Sequence, residues 1–179
     1  IMIEDQVAPK RCGHTRGKQV VDREEAVGRI RAAVDAREEG ADILIMARTD
    51  ARATNGFDEA MWRIKAFAEL GADILFLEAP ESEDEMREFC EGSPGHKMAN
   101  LVEQGDTPLL PPEILQQMGF KIVLYPLTMI KAAITAMETA LQTLKQGQTP
   151  EQLAEFSHLR EVVGFEDYYE AEKKYAAGK

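Results

Sequence analysis

Three groups of residues in this 179-residue chain have the types and spacing for chemistry. Cys12 stands in the stretch IEDQVAPKRCGH, Ile3 to His14, beside Lys10, Arg11 and His14. Neighbouring cations favour thiolate over thiol, so this cysteine suits a proton shuttle or a nucleophile, and Gly13 and Gly17 leave its loop free to close over a site. Arg48 ends an apolar run. There a planar guanidinium fork meets a substrate carboxylate or, alternatively, pairs internally with Asp50 or Glu78. Glu4, Asp5 and Glu78 are carboxylates in similar positions, suited to Mg²⁺, directly or through water, or to anchoring neighbouring loops. Cys90 follows Phe89 in a helical pattern and reads as a small buried apolar side chain. His96 and His158 have no partner at ligand spacing and read as structural or solvated.

These residues need a scaffold, and the chain alternates helical and strand patterns. Ala26, Val27, Ile30, Ala33 and Val34 recur at three and four within residues 23–38, with Asp22 as N-cap and Gly40 as stop, which predicts an amphipathic helix. Residues 42–50, DILIMARTD, form a short apolar run with a polar end, as in a strand buried on both faces. The pattern repeats with a helix from Phe57 to about Leu70 and a strand over Asp73–Pro80. It repeats again with a Ser82/Glu85 capping box and a strand ending near Asn100. A fourth round runs from a helix at Pro112–Met118, stopped by Gly119, into a strand over Lys121–Pro126. A long helix follows over Leu127–Gln146, and residues 150–179 form a polar, tyrosine-bearing helical tail.

Strands alternating with crossover helices predict a parallel sheet, either doubly wound or closed as an eight-stranded α/β barrel. Glu4, Arg48, Glu78, Asn100 and Tyr125 fall at successive strand ends, which favours a TIM-type (β/α)₈ barrel gathering its groups around one mouth. Five strands are counted, and three more strand–helix units are expected before Ile1. On this reading residues 1–179 are the C-terminal part of a single barrel domain. No glycine-rich phosphate loop follows any strand, so nucleotide binding has no support.

Composition narrows the function. Acidic residues outnumber basic ones by 32 to 21, for a net charge of −11, which excludes a nucleic-acid footprint. No run approaches the ~18 apolar residues of a membrane span. Two cysteines are too few for a disulfide framework and fit a reducing, cytoplasmic setting.

With the motifs IEDQVAPKRCGH, ARTDA, LEAP, MANLVEQGDTPLL and GFKIVLYPL in order, the chain resembles the isocitrate lyase and phosphoenolpyruvate mutase superfamily. The resemblance is nearest to its carboxyvinyl-carboxyphosphonate phosphorylmutase-like and petal death protein branch, then to the methylisocitrate lyases. It implies a barrel whose last helix is exchanged between subunits of a homotetramer, and a site for small 2-oxo or 2-hydroxy acids with Mg²⁺, for which Mn²⁺ can substitute. It implies Cys12 as acid or base, with His14 and Gly13 lining the substrate and Glu78 near the reacting hydroxyl. Arg48, Asn100, Leu101 and Lys131 are implied to bind substrate, and Glu4 to reach the metal through water, its direct ligands lying before Ile1. The loop cysteine favours carbon–carbon cleavage over phosphorylmutase chemistry. Val102 and Lys131 replace the threonine and arginine usual in methylisocitrate lyases, which favours a smaller dicarboxylate such as an alkylmalate or oxaloacetate. An inactive fragment or assembly subunit is the non-enzymatic alternative.

Overall fold

The computed structural model describes residues 1–11 and 17–176. Its elements run β1 (Met2–Glu4), α1 (Arg23–Glu38), β2 (Met46–Thr49), α2 (Ala51–Asn55), α3 (Phe57–Glu69), β3 (Ile74–Leu77), α4 (Glu83–Glu91), β4 (His96–Asn100), α5 (Pro112–Met118), β5 (Phe120–Leu124), α6 (Thr128–Lys145), α7 (Phe156–Val162) and α8 (Phe165–Tyr175). The short helix α2 was not anticipated from sequence, because one turn and a half carries too little periodicity to read. The strands are also shorter than their apolar runs. Residues 42–45 lie outside β2, where Ile43 and Leu44 are exposed.

The five strands form one parallel sheet in the order β1-β2-β3-β4-β5. Each crossover steps to the next position in the same direction, so the order never reverses at a switch point as it would in a doubly wound sheet. This is the wall of a TIM-type α/β barrel. Side-chain alternation splits the strands between two faces. Ala47, Leu75 and Leu77 enter the larger core with Ile30, Ile64, Phe67, Met86 and Phe89 from the helices. Ile74, Phe76 and Met98, with Met46 against them, form a smaller cluster on the other face.

Helix ends follow the local chemistry foreseen for them. Asp22 accepts from the Glu25 N–H at 2.8 Å, and Ser82 Oγ from the Glu85 N–H at 3.1 Å. The capping box is half realised: Glu85 turns to the Glu81 N–H and to Arg52, because a bidentate arginine offers a charged partner that a lone amide does not. Gly119 ends α5 at φ +113°, a left-handed conformation that costs glycine nothing.

The chain divides into two compact units, Ile1–Met129 and Ile130–Lys179. The first contains the sheet. In the second, Ile130, Ile134, Met137, Leu141 and Leu144 recur at four and three along α6 and are all exposed. Between α7 and α8, Arg160 bonds Glu166 at 3.1 Å and lies over the Tyr169 ring. No helix among the described residues is long and apolar enough to cross a membrane.

Candidate active site

Register places the polar residues. Glu4 pairs with Arg48 across β1 and β2, and Arg48 with Phe76 across β2 and β3. Glu78 follows Phe76 by two residues and Asn100 follows Met98 by two, so all four polar side chains come from the same sheet face at the C-terminal strand ends. They line one cleft of about 300 Å³ with Lys10 and with an apolar edge of Val102, Pro126 and Leu127.

Arg48 is the centre of this arrangement. It donates to Asp50 through Nε at 2.7 Å and Nη2 at 3.0 Å, and lies 3.5 Å from Glu4 and 3.7 Å from Glu78. Burial works against its charge, but the Asp50 hydrogen bonds and the carboxylates of Glu78, Asp50 and Glu4 outweigh burial and push its pKa up. Both sequence readings of Arg48 therefore have a basis: the internal pair with Asp50 is made, side-on. That geometry engages Nε and one hydrogen of Nη2. The Nη1 amine carries no hydrogen bond among the described residues and can meet an incoming carboxylate.

Asp50 is fully buried and also holds the Lys18 ammonium at 3.3 Å. Burial alone would raise its pKa, yet Arg48 and Lys18 together bring it below the usual carboxylate value. Asn100 donates to Glu78 at 3.4 Å, while its Oδ1 is buried with no hydrogen-bond donor among the described residues. Glu78 itself is 1% exposed, and Ala79 beside it has φ +56°, a left-handed conformation unfavourable to a residue with a Cβ. Such local strain is typical of sites whose geometry is imposed by the surroundings.

Of the two sequence readings of Asp5, metal carboxylate or loop anchor, the structure has the anchor. As the next residue after Glu4 it faces the opposite side of the sheet, where Thr49 Oγ1 donates to it at 2.6 Å, the Asp50 N–H at 2.9 Å and Arg63 at 3.1 Å. It anchors the strand ends. Leu101 is likewise fully buried in the larger core, and its N–H donates to the Leu124 carbonyl. Cys12, Gly13 and His14 lie outside the described residues, and Lys131 belongs to α6 in the second unit. Lys18 was missed in the sequence, since a lysine beside a glycine in a polar loop has no distinguishing pattern; only the fold buries it beside Asp50.

The fit of a divalent metal can be tested on these donors. Among the described residues no group of three or more histidine, cysteine or acidic side chains is arranged to hold one. Glu4 Oε2 is nevertheless buried without a hydrogen bond among the described residues, with Arg48 Nε 3.5 Å away, and Lys10 holds only the other oxygen, at 3.0 Å. One unsatisfied carboxylate oxygen suits contact with a metal-bound water, not a complete set for an ion that takes about six oxygens.

Fold and site thus define an α/β barrel protein with a cation-centred, acid-rimmed cleft at the C-terminal ends of its strands. Residues 1–145 match the phosphoenolpyruvate phosphomutase family. A 2,3-dimethylmalate lyase of Eubacterium barkeri is 45% identical over 100% of this chain and 63% of its own length. A solved oxaloacetate acetylhydrolase, in complex with the inhibitor 3,3-difluorooxalacetate, superposes with a TM-score of 0.88 at 34% identity, covering 99% of this chain and 61% of that one. A phosphonopyruvate hydrolase complexed with oxalate and Mg²⁺ gives a TM-score of 0.76 at 27% identity, covering 98% and 62%. The chain belongs to the phosphoenolpyruvate mutase and isocitrate lyase superfamily. It spans a little under two thirds of the length of these relatives.

Proposed function

We propose that the full-length protein is a Mg²⁺-dependent lyase cleaving a carbon–carbon bond of a 2-hydroxy dicarboxylate, with a 2-alkylmalate as the best fit, and that the same site hydrolyses oxaloacetate. The observation that carries this reading is Arg48, which lines the cleft with Glu4, Glu78 and Asn100, is held side-on by Asp50, and has an Nη1 amine with no hydrogen bond among the described residues. The names of the two relatives above, a dimethylmalate lyase and an oxaloacetate acetylhydrolase, support it.

In this mechanism Arg48 holds one substrate carboxylate through Nη1. Asn100 Nδ2 holds the Glu78 carboxylate in place, and Glu78 takes the proton of the substrate hydroxyl. The oxygen's electrons form the carbonyl, the adjacent carbon–carbon bond breaks, and its pair passes to the enolate of the departing acid. Cys12 supplies the proton that quenches that enolate, with His14 and Gly13 beside the substrate and Lys131 at the second carboxylate. Leu101 supports Asn100 from within the core. Val102, Pro126 and Leu127 offer the substrate's alkyl group an apolar wall and provide no side-chain donor for a third carboxylate. Bound Mg²⁺ would supply positive charge to the 2-oxo acid's oxygens. Glu4 would reach it through water, and its direct ligands would come from outside the described residues. The exposed heptad-spaced stripe of α6 supports a helix-exchanged homotetramer, and we place the protein in the cytoplasm.

Incubating full-length protein and Mg²⁺ with 2,3-dimethylmalate, other 2-alkylmalates and oxaloacetate tests the assignment. Release of a 2-oxo acid from an alkylmalate, abolished in Arg48→Met and lowered at least a hundredfold in Cys12→Ser, is expected. Turnover of carboxyphosphonoenolpyruvate alone, followed by phosphorus NMR, would replace the lyase reading with a phosphorylmutase.

A further inference from the structure

Arg48 faces a difficulty as a substrate-binding cation, since a guanidinium bound bidentately by a buried carboxylate has most of its charge neutralised before any substrate arrives. Two further acids stand within 4 Å of it. Lys10 pairs with Glu4, and Lys10 and Arg11 line the same cleft, but neither is paired with Asp50, the carboxylate that grips the guanidinium. The second cation on Asp50 is Lys18. Its side chain is 5% exposed, it bonds the same Asp50 Oδ1 that accepts from Arg48 Nη2, and it does not line the cleft.

We propose that Lys18 is a positioning residue for substrate binding: by sharing Asp50 with Arg48 it neutralises the carboxylate that orients the guanidinium, and so leaves the charge of Arg48 available to a substrate dicarboxylate. Asp50 then acts as a two-cation bracket. Its two oxygens fix the plane of the Arg48 fork, while the ammonium behind it cancels the charge that this costs. Without Lys18 the whole charge of Asp50 would fall on Arg48, and a dianion would meet a weaker cation. The inference rests on the assignment of Arg48 as the carboxylate-binding group.

Oxalate binding to full-length, Mg²⁺-loaded protein, measured by titration calorimetry, is the direct test, with alkylmalate kinetics beside it. Lys18→Met is expected to weaken oxalate binding about tenfold, the order of one charge interaction in a partly buried site. It should raise KM in proportion with kcat within about twofold, because the lost interaction serves ground state and transition state alike. Lys18→Arg should recover affinity to within about threefold of wild type, because it returns a cation to Asp50. A purely structural lysine would instead lower kcat along with affinity. Wild-type affinity in Lys18→Met, when Arg48→Met has lost binding, overturns the role of Lys18 alone. Wild-type affinity in Arg48→Met overturns the underlying assignment and this inference with it. If Lys18→Met does not fold, Lys18→Gln, which keeps a hydrogen-bond donor beside Asp50 without the charge, decides: wild-type affinity in that variant refutes the charge argument.

Discussion

Replacing Arg63 by methionine would expose how the strand ends are held. The Arg63 side chain is 3% exposed and bonds Asp5 at 3.1 Å, the Val21 carbonyl at 2.9 Å and Glu59 at 2.8 Å. Methionine keeps most of the apolar volume but leaves Asp5 buried without a cation, still accepting from Thr49 and the Asp50 N–H. Losing one partner of a buried ion pair costs roughly 3 to 5 kcal/mol. A ceiling follows from the alternative of protonating Asp5: taking a carboxyl from its ordinary value to neutrality at pH 7 costs about 4 kcal/mol, at ~1.4 kcal/mol per pH unit. Burial already pushes the Asp5 pKa up, with Thr49, Asp50 and Arg63 pulling it back, so removing Arg63 moves it further upward. The variant should therefore be less stable by about 3 to 4 kcal/mol at pH 7. The sign of its pH dependence is set by linkage: a carboxyl with a raised folded pKa binds more protons folded than unfolded, so its penalty shrinks as pH falls. The deficit should narrow by up to ~1.4 kcal/mol per unit between pH 7 and 5. Urea unfolding of the full-length variant and wild type, followed by circular dichroism at both pH values, measures this. A deficit below about 1 kcal/mol at pH 7, or one that does not change with pH, would refute the reasoning.

Three other perturbations have defined outcomes. Burial pushes the Cys90 thiol up to about 11, so in a Cys12→Ser background Cys90 should resist a disulfide reagent at pH 8 until the protein is unfolded by denaturant. Acid should destabilise the protein below about pH 4, because Asp50, Glu59 and Glu85 are held below their ordinary values by arginine partners. Their stabilisation is full above the unfolded pKa and lost as pH falls through the folded one, with Asp5 working in the opposite sense. Thermal melts across pH 3 to 7 would detect the trend, and a flat profile would contradict it. Placing a charge on the α6 stripe by Leu141→Lys should dissociate the proposed tetramer, read as a change in sedimentation, whereas an unaltered assembly would remove α6 from the interface.

Much of the molecule was legible from local patterns. Short apolar runs bounded by glycines and N-caps announced β2, β3 and β4 and the helices between them, because burial on both faces leaves a strand no polar alternation to show. The cluster of Glu4, Arg48, Glu78 and Asn100 was also visible, since each is a polar residue at the tip of such a run. The roles within it were not. Glu4 and Asp5 are adjacent and chemically alike, and only the pleat of β1 sends one into the cleft and the other toward Arg63.

Sequence by itself therefore determined the order of elements, the parallel sheet and the polar tips, because hydrophobic periodicity and end-capping act over a few residues. Tertiary structure decided the charge network: Lys18 meets Asp50 across 32 positions, Arg63 meets Asp5 across 58, and Arg48 lies among acids from two other strands. Those pairings exist because strand register and helix packing bring distant segments within hydrogen-bond range, and a buried charge is tolerated only where such a partner arrives.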